Sequence, residues 1–238
     1  MHDAHFHLSD ALYEMLRTTR MPGIANAASA EEFDRLSRLS RGAAFTVSAG
    51  IHPWYADRVT FDEFLPTLER AAVIGEIGLD RIWCETDITI QRERFLRQLE
   101  YAAEKGKPVV CHTKAAEAEC AELIARFPNT YLIHWYSCLD HLETFIGLGC
   151  YFSIGPSVGI DPAVTRTAER VPLDRILFES DGIDAIAWAF NTDASAVDYP
   201  ETMRRTLQVT AELRGIGAEE LEQQADGNLR RFLCGKGA

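Results

Sequence analysis

Short apolar runs in this sequence end repeatedly on residues that can bind metal. The first run carries His5-Phe6-His7, the third ends Gly50-Ile51-His52, and the fourth reads Val73-Ile74-Gly75-Glu76. The fifth is Val109-Val110-Cys111-His112, the sixth Leu132-Ile133-His134, and the eighth Leu177-Phe178-Glu179-Ser180-Asp181. Five of the seven histidines fall at such positions. Residues i and i+2 of a strand face the same side, so His5 and His7 can grip one cation together. Glu76 follows an apolar stretch, where a carboxylate is costly unless it is paired or bound to metal. Each residue alone has a plain alternative: a core hydrogen bond for His112 or His134, a salt bridge for Glu76, a helix cap for Asp181. Their recurrence at successive run ends favours a metal site. Imidazole and carboxylate without thiolate suit zinc, manganese, iron, cobalt or nickel, and the carboxylates admit magnesium. Six ligands (His5, His7, Glu76, His112, His134 and Asp181) exceed one tetrahedral zinc and suit two divalent metal ions sharing a carboxylate.

Such residues can meet only if the run ends lie on one side of the fold. The runs Ala4–Leu8, Gly23–Ala28, Ala43–Ile51, Ala72–Ile77, Pro108–His112, Tyr131–Trp135, Cys150–Ile154 and Ile176–Glu179 read as buried strands. Between them lie helical patterns. Arg92–Lys105 places Phe95, Leu99 and Ala102 on one face, with Gly106 to stop it and Pro108 to open the next strand. Ala115–Phe127 does the same with Ala118, Leu123 and Phe127. Eight strand–helix units of about 30 residues predict an α/β fold, a single (β/α)8 TIM barrel, slightly short and with an atypical loop after strand eight. In such a barrel the C-terminal strand ends share one rim. No glycine-rich phosphate-binding motif follows any strand, which removes support from a nucleotide-binding fold.

At 238 residues, 47% hydrophobic and 25% charged, the chain is expected to form one domain, 1–238. No apolar stretch nears the roughly 18 residues of a membrane span, and the N-terminus lacks a signal core, so a cytoplasmic location without membrane contact is expected. The net charge of −12 argues against a nucleic-acid coat, which needs a basic face. Bound cations could still supply local positive charge against a phosphodiester. The six cysteines form no C-x-x-C pair and read as reduced thiols.

Several motifs are shared with one family. Asp3-Ala4-His5-Phe6-His7-Leu8, Ala49-Gly50-Ile51-His52-Pro53 and Ile74-Gly75-Glu76-Ile77-Gly78-Leu79-Asp80 resemble the TatD family of metal-dependent hydrolases. So do Pro108-Val109-Val110-Cys111-His112, Ile133-His134-Trp135-Tyr136-Ser137, Glu179-Ser180-Asp181 and the closing Asn228 to Phe232. The resemblance runs in order from residue 3 to about 233 and is most specific at Gly75–Asp80. It implies that His5, His7 and Asp181 hold one metal, His112 and His134 the other, and Glu76 bridges them. His52 resembles a further family histidine near the site, read as a substrate contact. After Asp181 the chain reads Gly182-Ile183-Asp184-Ala185-Ile186-Ala187-Trp188-Ala189-Phe190, where the family has a Ser/Thr-Pro-Tyr-like segment. After His134 it reads Trp-Tyr-Ser-Cys rather than Cys-Phe-Ser-Gly. Loops on this rim set specificity.

The expected chemistry is hydrolysis of a phosphodiester by a hydroxide that two divalent cations activate, with Asp181 and Glu76 as the catalytic carboxylates. The substrate expected for so acidic a chain is a small or terminal phosphodiester such as a DNA end. His52 and Arg81 are candidates to hold phosphate oxygens, Arg81 having a rim salt bridge as its alternative. The rival reactions are amide, lactone or carboxyl-ester hydrolysis on the same scaffold. A non-catalytic, metal-stabilised binding protein is the rival from another class, suggested by the apolar Ile183–Phe190 stretch.

Overall fold

Eight parallel strands, hydrogen-bonded in chain order, form the sheet of the computed structural model, which describes residues 1–235. They are β1 (Asp3–Phe6), β2 (Gly23–Ala27), β3 (Phe45–Ala49), β4 (Val73–Asp80), β5 (Val109–Lys114), β6 (Tyr131–Ile133), β7 (Tyr151–Ile154) and β8 (Ile176–Phe178). The helices are α1 (Asp10–Thr19), α2 (Ala30–Leu39), α3 (Phe61–Arg70), α4 (Ile88–Lys105), α5 (Glu117–Ala125), α6 (Leu142–Gly147), α7 (Pro162–Arg170), α8 (Ile183–Phe190), α9 (Tyr199–Arg214) and α10 (Ala218–Cys234). The result is a nearly closed (β/α)8 TIM barrel, as the sequence pattern predicts. Among the described residues no helix is long and apolar enough to cross a membrane.

Local chemistry sets the helix ends. Ser29 accepts from the Glu32 N–H and Asp87 from the Thr89 N–H, while Thr60 and Glu63 form a reciprocal capping box. Gly106 ends α4 with φ +64°, a left-handed conformation that suits glycine.

One apolar cluster gathers Ala4, Ile24, Val73, Val110, Leu132, Tyr151 and Leu177, from every strand except β3, with Leu229 and Phe232 of α10. Side chains from seven strands around a barrel can meet only in its interior, so α10 plugs the N-terminal end. Two residues further along, on the same face, come His112 after Val110, His134 after Leu132 and Glu179 after Leu177. The polar rim is therefore the next interior layer above an apolar floor.

Side chains help close the seam between β8 and β1. The Ser180 N–H donates to Asp3 Oδ1 (3.0 Å), the Tyr199 hydroxyl to Asp3 Oδ2 (2.7 Å), and the Asp181 N–H to the His5 carbonyl (3.0 Å). The Phe178 N–H donates to His2 Nε2 (3.2 Å), so His2 carries its proton on Nδ1, facing Asp226 Oδ1 at 2.7 Å. His2, which the sequence left without a role, is thus a buried seam residue. His141 is exposed.

The strand boundaries differ from those expected. β4 runs to Asp80 and β5 to Lys114, beyond Ile77 and His112, because both strands continue into residues that face the polar rim. β1, β6 and β8 stop short, leaving His7, His134 and Glu179 in the turns beyond them. The cysteines are free thiols, with Cys111, Cys120 and Cys150 buried and Cys234 exposed.

Candidate metal centre

Glu76, 4% exposed, lies in the middle of a ring of imidazoles. Its Oε2 faces His5 Nε2 (3.4 Å) and His7 Nε2 (3.5 Å). Its Oε1 faces His112 Nδ1 (2.6 Å), His134 Nε2 (2.8 Å) and His52 Nε2 (3.3 Å). Asp181 Oδ1 lies 3.2 Å from His5 Nε2 and 3.7 Å from His7 Nε2. The His5 and His134 rings stack at 4.0 Å. The fold therefore brings together Glu76 and His112 from within β4 and β5, His5 from β1, and His7, His52, His134 and Asp181 from just beyond β1, β3, β6 and β8.

The electrostatics follow from one carboxylate among many imidazoles. Burial alone would raise the Glu76 pKa, but His134, His52, His5 and His112 outweigh it and hold the carboxyl well below its ordinary range. Burial would lower the His5 pKa, yet Glu76 and Asp181 hold it well above the ordinary histidine value. Burial is likewise outweighed at His7 by Glu76 and Asp181, and at His112 by Glu76 and Asp80, so both are raised. Asp181 is held at about 2, its burial outweighed chiefly by His5.

His112 is gripped from both sides, since its Nε2 meets Asp80 Oδ2 at 3.0 Å. Asp80 in turn accepts from Trp54 Nε1 (2.7 Å) and from the Ile82 and Trp83 N–H groups (2.8 and 2.9 Å). A histidine oriented by a fixed carboxylate is how proteins set ring orientation and basicity at metal sites. His52 differs. Its Nδ1 accepts from the Trp54 N–H (3.2 Å), so the proton sits on Nε2 and points at Glu76. In that tautomer His52 donates a hydrogen bond, and burial keeps its pKa low.

Among the described residues, nine buried side-chain nitrogen and oxygen atoms lack a hydrogen-bond partner, and six belong here: His5 Nδ1 and Nε2, His134 Nδ1, both Glu179 oxygens and Asp181 Oδ1. Orphaned buried polar atoms are rare, so a cluster of them calls for an electrophile. Three sets place their ligand atoms within 4.8 Å of one another: His5–His7–Glu76, His52–Glu76–His112 and His5–His134–Glu179. The donors are all imidazole and carboxylate, a set that fits divalent cations.

Backbone geometry marks the same place. Trp135, directly after His134, has φ +34° and Asp181 has φ +59°, left-handed values that bulky or non-glycine residues rarely adopt. Gly182 approaches β1 so closely that an added Cβ would lie 2.7 Å from the His7 carbonyl oxygen.

Arg81 sits at the rim with its guanidinium on Glu119 Oε2 at 2.7 Å, half-exposed. Ile183–Phe190 is helix α8, burying Ile186 and Ala187 while Trp188 stays 69% exposed. Sequence reasoning gave no role to Asp80, Lys114 and Glu179. Lys114 is buried two residues beyond His112, its Nζ donating to the Trp135 carbonyl (2.8 Å) and Ser137 Oγ (3.1 Å). Glu179 Oε2 lies 3.5 Å from His134 Nδ1. Lys114 lies two residues past His112 on β5, and Glu179 two past Leu177, so each shares the face of an interior residue, but only the folded strands show that the pattern extends that far.

Known proteins share this arrangement of chain and fold. The family model described as TatD related DNase matches residues 2–234. The chain is 28% identical over 214 residues to an Escherichia coli K12 protein named uncharacterized metal-dependent hydrolase YjjV, covering 84% of this chain and 81% of that one. It is 28% identical over 199 residues to a Dickeya dadantii protein named 3'-5' ssDNA/RNA exonuclease TatD, covering 78% and 75%. The crystal structure of the E. coli YjjV protein superposes with a TM-score of 0.83 at 24% identity, covering 98% and 97%.

Proposed function

The chain belongs to the TatD-related DNase family and is a metal-dependent hydrolase, and from that premise we propose that it hydrolyses phosphodiester bonds of small or terminal substrates, such as a DNA end, with two divalent cations. One observation carries the reading: Glu76 divides its two oxygens between two groups, His5 and His7 on one side, His112 and His134 on the other. A bridging carboxylate needs that division. His5, His7 and Asp181 would hold one cation, and His112 and His134 the other. When bound, divalent cations supply Lewis acidity, acidifying water and drawing charge from phosphoryl oxygens.

The side chains supply the rest. Asp181 is ionised at neutral pH and its side chain is partly exposed beside His5 and His7, placed to accept a proton from the attacking water and return it to the leaving oxygen. His52, with its proton on Nε2, orients Glu76, and Asp80 orients the His112 ring. A name given to the D. dadantii relative includes exonuclease action on single-stranded DNA and RNA, which supports the phosphodiester reading. The rival amide and lactone hydrolysis often uses a carboxylated lysine as the bridge. Here Lys114 Nζ is a donor to Trp135 and Ser137, and Glu76 holds the central position.

Elemental analysis of the purified protein, then a panel of an aryl phosphodiester, a single-stranded oligonucleotide, lactones and amides under several divalent metals, tests this. Phosphodiesters are expected to turn over fastest. Glu76→Gln should lose bound metal and activity together, and Asp181→Asn should lose about 10²- to 10⁴-fold in kcat, with circular dichroism unchanged. Turnover confined to lactones or amides, or phosphodiester cleavage untouched by Glu76→Gln, would refute the proposal.

A further inference from the structure

Four tryptophans occur in the chain, and all four stand on the rim that carries the imidazoles. Trp54 follows β3, Trp83 follows β4, Trp135 follows β6, and Trp188 lies on α8 after β8. Tryptophan is normally largely buried, and a monomer seldom shows several large rings together on its surface. Here Trp188 is 69%, Trp83 51% and Trp54 41% exposed.

The rings are organised. Trp135 is buried and fixed by its Nε1, which donates to Ser157 Oγ (3.1 Å), and by Gly155, where a Cβ would come within 2.8 Å of the ring. Trp188 stands edge to face on Trp135 (6.3 Å between centroids, 73°) and on Trp83 (6.1 Å, 82°). Edge-to-face contacts hold Trp83 and Trp188 in place against Trp135 while leaving more than half of their own surface exposed. The wall is also tied to the ligand set. The Trp83 N–H and Trp54 Nε1 donate to the same Asp80 carboxylate that holds His112, and Trp135 directly follows His134.

We propose that Trp83 and Trp188, anchored on the buried Trp135, form a stacking subsite for a nucleobase next to the scissile phosphodiester. This rests on the phosphodiesterase reading above. A chain with net charge −12 cannot draw a polyanion by overall attraction, and stacking supplies affinity that needs no basic surface. A base inside a duplex has both faces covered, so the wall can engage only a base at or beyond the end of a strand. Helix α8, which stands where the family has a Ser/Thr-Pro-Tyr-like segment, contributes the most exposed ring.

The test separates the wall from the chemistry. With metal-replete protein, deoxyadenosine monophosphate should quench tryptophan fluorescence at concentrations where deoxyribose 5-phosphate does not; equal quenching by the two overturns the proposal. For single-stranded oligonucleotides with a normal or an abasic terminal residue, the ratio of their kcat/KM values should fall about 5- to 150-fold in Trp188→Ala, mainly through KM. Trp188→Phe should restore most of it. An unchanged ratio, or a wild-type dimer that Trp188→Ala converts to monomer in sedimentation velocity, overturns the subsite. If no phosphodiester is cleaved at all, the functional reading fails, and the quenching comparison still decides the wall.

Discussion

At the scale of single residues the metal must compete with protons. His5, His7 and His112 all have raised pKa values in the metal-free protein, because burial is outweighed by Glu76 with Asp181 or Asp80. An imidazole binds metal only through a neutral nitrogen, so each protonated ring must shed its proton first. The sign follows: below these raised values protons hold the site, and metal affinity climbs as pH rises through and above the ordinary histidine value of about 6.5. Calorimetric titration with zinc or manganese at neutral pH, in two buffers of different ionisation enthalpy, should show about one or more protons released per cation. A proton count of zero would contradict the imidazole–carboxylate pairing. The histidines themselves were legible because an ionisable group ending an apolar run is anomalous. Asp80 and Lys114 were not, since they follow the apolar runs and only the folded strand shows that β4 and β5 continue to them.

At the scale of elements, the eight strands were legible because a strand buried on both faces reads as an unbroken apolar run. Their ends were not, because the last residues of each strand face a polar rim and lose that pattern. The seam was invisible for a similar reason: Asp3 sits in the first motif, but its partners Ser180 and Tyr199 lie far along the chain. Tyr199→Phe removes one donor from the buried Asp3 carboxylate and should cost about 1–3 kcal/mol in urea unfolding, with metal content retained. Gly78→Ala strikes harder. A Cβ there would lie 1.9 Å from the His112 carbonyl oxygen, and Gly78 pairs directly with His112 across β4 and β5. Those strands carry Glu76 and His112, so this variant should lose more stability than Tyr199→Phe and also lose metal affinity. A Gly78→Ala protein with wild-type unfolding midpoint and metal content would show that the spacing of β4 and β5 does not set the site.

At the scale of the whole molecule, charge decides how substrate arrives. The chain carries 36 acidic and 24 basic residues, a net of −12. Nucleic-acid binders with basic faces release counterions, so their affinity falls steeply as salt rises. An acidic barrel has the opposite long-range problem: its field repels a phosphate strand before the local cations and the aromatic wall can engage it. Screening relieves that repulsion, because the Debye length shrinks from about 30 Å at 0.01 M to about 8 Å at 0.15 M ionic strength. With divalent metal held saturating, kcat/KM for a short single-stranded oligonucleotide should therefore stay level or rise across that range, while an uncharged chromogenic ester, if cleaved, should respond little. A logarithmic slope against salt steeper than about −2, the signature of about three or more phosphates neutralised by protein cations on a single strand, would mean that a basic track guides the strand after all. Local charge from bound metal, rather than the surface of the barrel, would then no longer explain how so acidic a chain handles an anion.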